Sequence, residues 1–173
     1  MENKKHIPIT RVNKFFSQDD FELEQDFGRE WLEGDLNMKV ILYRVDAGKT
    51  QSDSVYGEAG RDEIRFKPPV ELYVYLTITE PKNKSYNPNG SLRYVEHGNM
   101  SFGIYQQQLD ELGVDITYGD YIAYQESETR IKYYTVSSNG GVYTDNKHTI
   151  LGYKGFYRTV ECVPTTEDEF RGR

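Results

Sequence analysis

Apolar and polar residues alternate most regularly over residues 70–79, which read VELYVYLTIT. The apolar positions are Val70, Leu72, Val74, Leu76 and Ile78. Tyr, Thr and one Glu fill the positions between them, and a period of two places successive side chains on opposite faces of a β-strand. The pattern predicts a central strand over these residues, with Leu72, Val74 and Leu76 buried.

Shorter apolar segments predict further strands on both sides of this one. They cover residues 38–45, 92–95, 100–105, 121–124, 131–136 and 156–163. The His-Gly-Asn turn at residues 97–99 predicts that strand 92–95 pairs with strand 100–105. The Tyr-Gly-Asp turn at residues 118–120 leads into a hairpin made by the strands 121–124 and 131–136. Residues 80–90 are rich in turn-forming residues and predict a loop.

One longer helix is predicted over residues 17–33. Ser17 is a suitable N-cap, and carboxylates follow in the first turn, where they favour the positive end of the helix dipole. Apolar residues recur every four positions, at Leu23, Phe27 and Trp31. This spacing puts them on one face, so we expect Phe27 and Trp31 to pack on the sheet. Gly34 is the expected stop, and a short helix is predicted over residues 106–112.

The composition agrees with a β-rich chain. Its 173 residues include 15 Tyr and 8 Phe but only 3 Ala, and strands favour aromatic residues whereas helices favour Ala. We expect a mainly β fold: a single antiparallel β-sandwich or barrel-like domain with one longer N-terminal helix and one short helix. The predicted organisation is an N-terminal arm (1–16), the domain (17–163) and a flexible C-terminal tail (164–173).

The charge and the apolar pattern disfavour two classes of protein. The formal net charge of −7 is unfavourable for a nucleic-acid binder held by phosphate contacts. No apolar run approaches the length of a bilayer span and no signal peptide opens the sequence, so no membrane association is expected.

Candidate chemistry is sparse. The three histidines, His6, His97 and His148, lie far apart and in no metal-ligand spacing, so no metal site and no cofactor are expected. Cys162 is the single cysteine, which leaves no partner for a disulfide, and its position in a strand favours a buried structural thiol. No phosphate loop, nucleophile elbow or metalloprotease motif is present, so no catalytic residues are expected. These observations favour a binding or structural module over an enzyme.

The order of several motifs carries a resemblance. The motifs are Tyr43-Arg44-Val45-Asp46, the loop Asp53-Ser54-Val55-Tyr56-Gly57-Glu58, Tyr75-Leu76, Met100-Ser101-Phe102-Gly103-Ile104, Tyr118-Gly119-Asp120-Tyr121-Ile122 and the segment 150–159. In this order, over roughly residues 30–163, the chain resembles the neck proteins of contractile-tailed, T-even-type bacteriophages, which join the filled head to the tail. The Asp-x-x-Tyr-Gly-Glu loop is the most specific of these motifs.

The resemblance implies a virion structural protein assembled in the host cytoplasm. It would be a neck or head–tail connector subunit that forms a homo-oligomeric ring, six- or twelve-fold related, between portal-side connector proteins and tail proteins. DNA would pass through the channel without specific binding. One alternative is another tail or baseplate structural protein of the virion. A second is a small β-fold hydrolase acting on carbohydrate, which would need two facing carboxylates in a closed pocket.

The loop at residues 53–58 is the candidate assembly interface, and the residues concerned are Asp53, Val55, Tyr56, Gly57 and Glu58. Loops of this kind within a domain often carry function. In the functional interpretation, Val55 and Tyr56 insert against a neighbouring subunit and Gly57 allows the turn. In the alternative interpretation, Tyr56 folds back and covers its own core.

Overall fold

Seven antiparallel strands form one curled sheet in the computed structural model, which describes residues 17–50, 64–79, 82–85, 93–96, 98–140 and 156–165. The strands are β1 (Lys39–Tyr43), β2 (Val70–Tyr73), β3 (Tyr75–Ile78), β4 (Lys82–Ser85), β5 (Arg93–Glu96), β6 (Met100–Tyr105), β7 (Tyr121–Ser127), β8 (Arg130–Ser138) and β9 (Tyr157–Thr165). The sheet order is β2-β1-β7-β8-β9-β6-β3, and β4 and β5 form a separate two-stranded ladder. The fold is therefore mainly β, as the composition and the alternation predict. Of the two predicted architectures, the sandwich and the barrel-like domain, the curled sheet is the barrel-like one, a half-barrel.

The predicted central strand over residues 70–79 instead supplies both edges of the sheet. It is interrupted at Val74: β2 pairs with β1, and β3 pairs with β6. Because a single residue links the two edge strands, the sheet curls so that its two edges come together at Val74. Alternation continues across the break, so Leu72 and Val74 are fully buried as predicted, whereas Leu76 packs against the core and is only partly buried.

A glutamine side chain completes the ladder beside this break. Helix α2 (Gln106–Leu112) begins directly where β6 ends. In the amide orientation that satisfies both of its groups, Gln108 donates to the Tyr73 carbonyl at 3.1 Å and accepts from the Tyr73 N–H at 3.0 Å. A buried amide thus replaces a strand partner, which keeps the backbone polar groups of Tyr73 paired.

The main core lies inside the curl. Its buried members are Val40, Leu42, Leu72, Val74, Met100, Phe102, Ile104, Leu109, Ile116, Ile122, Tyr134, Val136, Val160 and Cys162. They come from the inward positions of the strands together with α2 and the segment after it. In the register of the sheet, Phe102 lies opposite both Leu76 and Val160, so one inward row continues across three strands.

The structure corrects three sequence predictions about the strands: one about pairing, one about a loop and one about where a strand ends. The strand predicted at 92–95 is β5 (Arg93–Glu96), and it pairs with β4 rather than with β6. The predicted loop at 80–90 contains β4, whose polar sequence KNKS gives no apolar signal. The last strand ends at Thr165 rather than Val163, and its Pro164 lies opposite Tyr134. The hairpin of β7 and β8 is confirmed.

The N-terminal helix α1 (Gln18–Glu30) begins as predicted at Ser17. Ser17 Oγ accepts from the Asp20 N–H at 3.3 Å, and the Asp20 carboxylate accepts from the Ser17 N–H at 2.8 Å, which is a capping box. The helix does not stop at Gly34. It continues as a π-helix, Trp31–Leu36, and ends at Asn37, which has φ 45°.

The face of α1 that packs on the protein is not the predicted one. Its members are Phe21, Gln25, Gly28 and Leu32, which recur at helical spacing and contain only two large apolar side chains. Gly28 allows the closest approach, because a Cβ there would lie 2.0 Å from the Tyr105 hydroxyl oxygen. The prediction that Phe27 packs on the sheet is wrong, because its side chain is 60% exposed. Trp31 is 44% exposed, but its ring does meet the sheet, at Tyr75 of β3.

We expect Gly140→Ala to lower the free energy of unfolding by about 2–3 kcal/mol. Gly140 follows β8 with φ 56°, and an added Cβ would lie 1.6 Å from the Thr159 carbonyl oxygen, a backbone atom that cannot move aside freely. Gly113 is the matched control because it has φ 61° but open space around the Cβ position. Gly113→Ala should cost only about 1 kcal/mol in urea unfolding. Equal losses would contradict a steric role for Gly140.

Candidate functional site

The predicted interface loop is described only at its base. Asp53, Val55, Tyr56, Gly57 and Glu58 lie outside the described residues, so neither interpretation of Tyr56 is tested. The chain on each side of the loop, up to Thr50 and from Ile64, is described. The base therefore fixes where the loop leaves the domain.

Backbone and side-chain hydrogen bonds hold this base together. The Asp46 N–H donates to the Arg65 carbonyl at 2.8 Å, and the Lys67 N–H donates to the Arg44 carbonyl at 2.9 Å. Thr50 Oγ1 donates to the Asp46 carbonyl at 2.8 Å and accepts from the Arg65 N–H at 3.2 Å. The loop is thus closed by a ladder that continues from β1.

Asp120 connects the loop base to the β7–β8 hairpin. Its side chain is buried, and Oδ1 accepts from the Val45 N–H at 2.9 Å. Oδ2 accepts from the N–H and the hydroxyl of Thr117, at 2.8 and 2.9 Å. The Asp120 carbonyl also accepts from the Val136 N–H at 2.8 Å. Two motifs of the resemblance, one around Val45 and one at the Gly-Asp turn, are therefore joined directly.

Three aromatic rings support the same base. Phe66 forms an isolated bridge with Val45, opposite the start of the loop. Its ring makes edge contacts with Tyr43, at 5.8 Å between centroids, and with Tyr121, at 5.6 Å. Edge-to-face geometry of this kind stabilises aromatic pairs beyond the area they bury. These contacts hold Tyr43, Phe66 and Tyr121 together beside the base of the loop.

A second candidate surface lies on α1. We define the aromatic stripe as Leu23, Phe27, Trp31 and Tyr75. Leu23 is 53% exposed, and its neighbours Phe27 and Trp31 follow at intervals of four residues on the outer side of the helix. The Trp31 ring stacks on Tyr75 of β3, with centroids 5.9 Å apart and an interplanar angle of 28°. The stripe therefore runs from α1 onto the edge of the sheet.

The helix that carries the stripe also carries the net charge of the chain. Residues 18–36 contain eight Asp or Glu and one Arg, whereas the remainder contains 20 acidic and 20 basic residues. The formal charge of −7 therefore lies entirely in this segment. Arg29, the one basic residue, is engaged by Glu33 at 2.6 Å and by Glu111 of α2 at 2.7 Å, and both contacts raise its pKa.

Tyrosines lie beneath α1 on the outer face of the sheet. Tyr105 makes an edge contact with Tyr157 at 5.5 Å between centroids, and Gly103 beside them leaves room for the Tyr157 ring. Burial raises the pKa of Tyr105, and Glu24 adds to this, while burial and then Tyr105 raise the pKa of Tyr157. Both phenols therefore stay protonated at neutral pH and act as packing surface for the helix.

A polar groove of about 320 Å³ lies between α1 and α2. Its lining residues are Gln18, Glu22, Gln25, Asp26, Gln106, Gln107 and Asp110. Two of these carboxylates are occupied by neighbouring amides: Gln18 donates to Glu22 at 2.6 Å and Gln106 donates to Asp110 at 2.9 Å. Sites for small organic ligands are mostly apolar, so this lining is unlike that of a ligand pocket.

Other chemistry is limited in the part of the chain that the structure describes. There, no three His, Cys, Asp or Glu side chains are placed to hold a metal ion. Among the described helices, none combines the length and the apolar character needed to cross a membrane. Cys162 is a free, buried cysteine, as the sequence predicts.

We expect Cys162 to be unreactive toward disulfide reagents in the folded protein at pH 8. Burial, and to a lesser extent Glu161, raises the pKa of its thiol to about 12. The thiolate fraction at pH 8 is then roughly one part in 10,000. One thiol equivalent should appear only after addition of urea. Rapid labelling without urea would contradict the buried position.

The same pKa shift makes stability depend on pH. The pKa of the Cys162 thiol is higher in the folded protein than in the unfolded chain. Its contribution to the free energy of unfolding is therefore fully present below about pH 9 and is lost as the pH rises toward 12.

Comparison with known proteins does not assign the chain to a family. No protein-family model matches the chain, and no curated protein matches it either.

Proposed function

We propose that the protein is a virion structural protein, a neck or head–tail connector subunit. Copies of the chain form a ring around the DNA channel, between portal-side connector proteins and the tail. The protein acts mechanically, by sealing and extending the channel and by offering docking surfaces. The resemblance of its motifs to T-even-type neck proteins leads to this proposal.

The observation that carries the proposal is the aromatic stripe on an acidic helix. Large contiguous patches of exposed apolar side chains are rare on monomeric proteins. Where they occur, they commonly mark protein–protein contacts. Trp and Tyr are enriched at such contacts because they bury a large area at a small entropic cost. A protein whose function is to bind neighbours explains why these rings are exposed while Gln25 and Gly28 face inward.

The charge distribution supports the DNA-channel part of the proposal. A ring of copies that each carry −7 has an acidic surface, and like charge discourages DNA from adhering. The charge is concentrated in residues 18–36 and is not spread over the chain. A channel lining must let DNA slide and therefore must not bind phosphates tightly.

Electron microscopy of the purified protein and of purified virus particles tests the proposal. We expect rings with a central channel in the first sample and antibody label at the head–tail junction in the second. Label on the baseplate or along the tail would replace the proposal with the alternative tail or baseplate role. Hydrolysis of oligosaccharides by a protein that is absent from particles would favour the enzyme alternative and overturn the proposal.

A further inference from the structure

We propose that the aromatic stripe of α1 binds the N-terminal arm, residues 1–16, of a second copy of this chain. The inference rests on the self-association in the proposed function and adds the element that makes the contact. The surface is Leu23, Phe27, Trp31 and Tyr75, all on the outer side of the described domain.

Charge complementarity singles out the arm as the occupant. Residues 1–16 contain four basic residues and one acidic residue, whereas residues 18–36 contain one basic and eight acidic residues. Two copies that each carry −7 repel one another, so a contact that covers α1 needs a basic partner to offset the repulsion. The arm is the strongly basic segment that directly precedes the acidic one.

The apolar pattern of the arm also fits. In an extended segment alternate residues share one side, so Lys5, Ile7, Ile9 and Arg11 would line up together. Residues 5–11 would span about 20 Å, and the 13 residues of α1 are also about 20 Å long. Ile7 and Ile9 would meet the aromatic rings, and the two cations would meet the carboxylates beside them. Pro8 lacks an N–H and suits an extended segment.

The length and the attachment point of the arm allow it to reach a neighbouring copy. The arm joins the domain at Ser17, whose backbone is extended at φ −93° and ψ 175°. Sixteen extended residues reach at most about 55 Å, well beyond the roughly 20 Å of the helix. If each copy gives its arm to one neighbour and receives an arm from another, the contact is head-to-tail, and such contacts form a ring when their rotation closes.

Trp31 makes the contact directly measurable because it is the only tryptophan in the sequence. We expect its emission to shift to the blue as the full-length chain is concentrated and sediments as an oligomer. Full-length Phe27→Asp, and separately the arm double variant Ile7→Asp with Ile9→Asp, should weaken association by at least about tenfold. Tyr118→Asp is the matched control, since Tyr118 is 79% exposed and lies in the turn before β7 rather than on α1 or β3. Circular dichroism establishes that each variant is folded.

Mixing the two deficient variants separates exchange between copies from docking within one chain. The arm variant keeps a stripe and the stripe variant keeps an arm, so we expect one-to-one heterodimers from two monomeric proteins. Absence of heterodimers, or a blue shift that does not depend on concentration, overturns the inference. If the wild-type protein forms rings that both variants leave intact, this inference fails and the proposed function stands. If the wild-type chain remains monomeric at every concentration, the ring and the arm exchange fail together.

Discussion

Asp120→Ala is expected to lower the free energy of unfolding by about 3–4 kcal/mol. The carboxylate is buried and accepts three hydrogen bonds, from the Val45 N–H and from the N–H and hydroxyl of Thr117. Alanine leaves two backbone donors without their partner, and an unsatisfied buried donor costs about 1–3 kcal/mol. Urea unfolding of the full-length chain, followed by far-ultraviolet circular dichroism, measures the loss.

Asp120→Asn is the control for this result. The amide keeps one carbonyl oxygen of nearly the same shape, so it retains either the bond to Val45 or the bonds to Thr117. We expect a loss of about half the alanine value. Because Asp120 also links the loop base to the hairpin, proteolysis within residues 51–63 should become faster in the alanine variant. A loss below about 1 kcal/mol for alanine would show that water satisfies the same donors and that the link is not structural.

The fold class was predictable because it depends on local pattern. Alternation over residues 70–79 and the scarcity of Ala required strands, and both buried positions at Leu72 and Val74 follow from the period of two. The break at Val74 was not predictable, because no local sequence pattern shows that the first half of this segment pairs with β1 and the second half with β6. The same limit explains β4, whose polar sequence becomes a strand only through its ladder with β5.

The site was less predictable because its determinants are non-local. The sequence indicated a turn at Asp120, but the acceptor role depends on Val45, which lies 75 positions away. For α1, the large apolar side chains predicted the wrong inward face. The face that packs on the sheet contains Gly28, because Tyr105 occupies the space that a larger side chain at this position would need. The spacing of Phe21, Gln25, Gly28 and Leu32 was available in the sequence as a competing face. A glycine in mid-helix, where it costs about 1 kcal/mol, was the signal that could have revealed it.

Phe21→Ala is expected to lower the free energy of unfolding by about 3–5 kcal/mol, whereas Phe27→Ala should cost less than about 1 kcal/mol. The two residues lie on the same helix and lose the same atoms, but Phe21 is fully buried and Phe27 is 60% exposed. Both losses are measured by urea unfolding at concentrations where the protein is monomeric, so that association does not contribute.

The two variants should have effects of the opposite order on self-association. Phe27→Ala removes a ring from the aromatic stripe and should weaken self-association, while the fraction of Phe21→Ala that remains folded keeps the stripe and should still associate. The two variants therefore separate the inner face of α1, which stabilises the monomer, from its outer face, which binds a neighbour. If Phe27→Ala destabilised the monomer as much as Phe21→Ala does, the Phe27 ring would be packed within its own chain. The aromatic stripe would then have no free side for a second copy to cover.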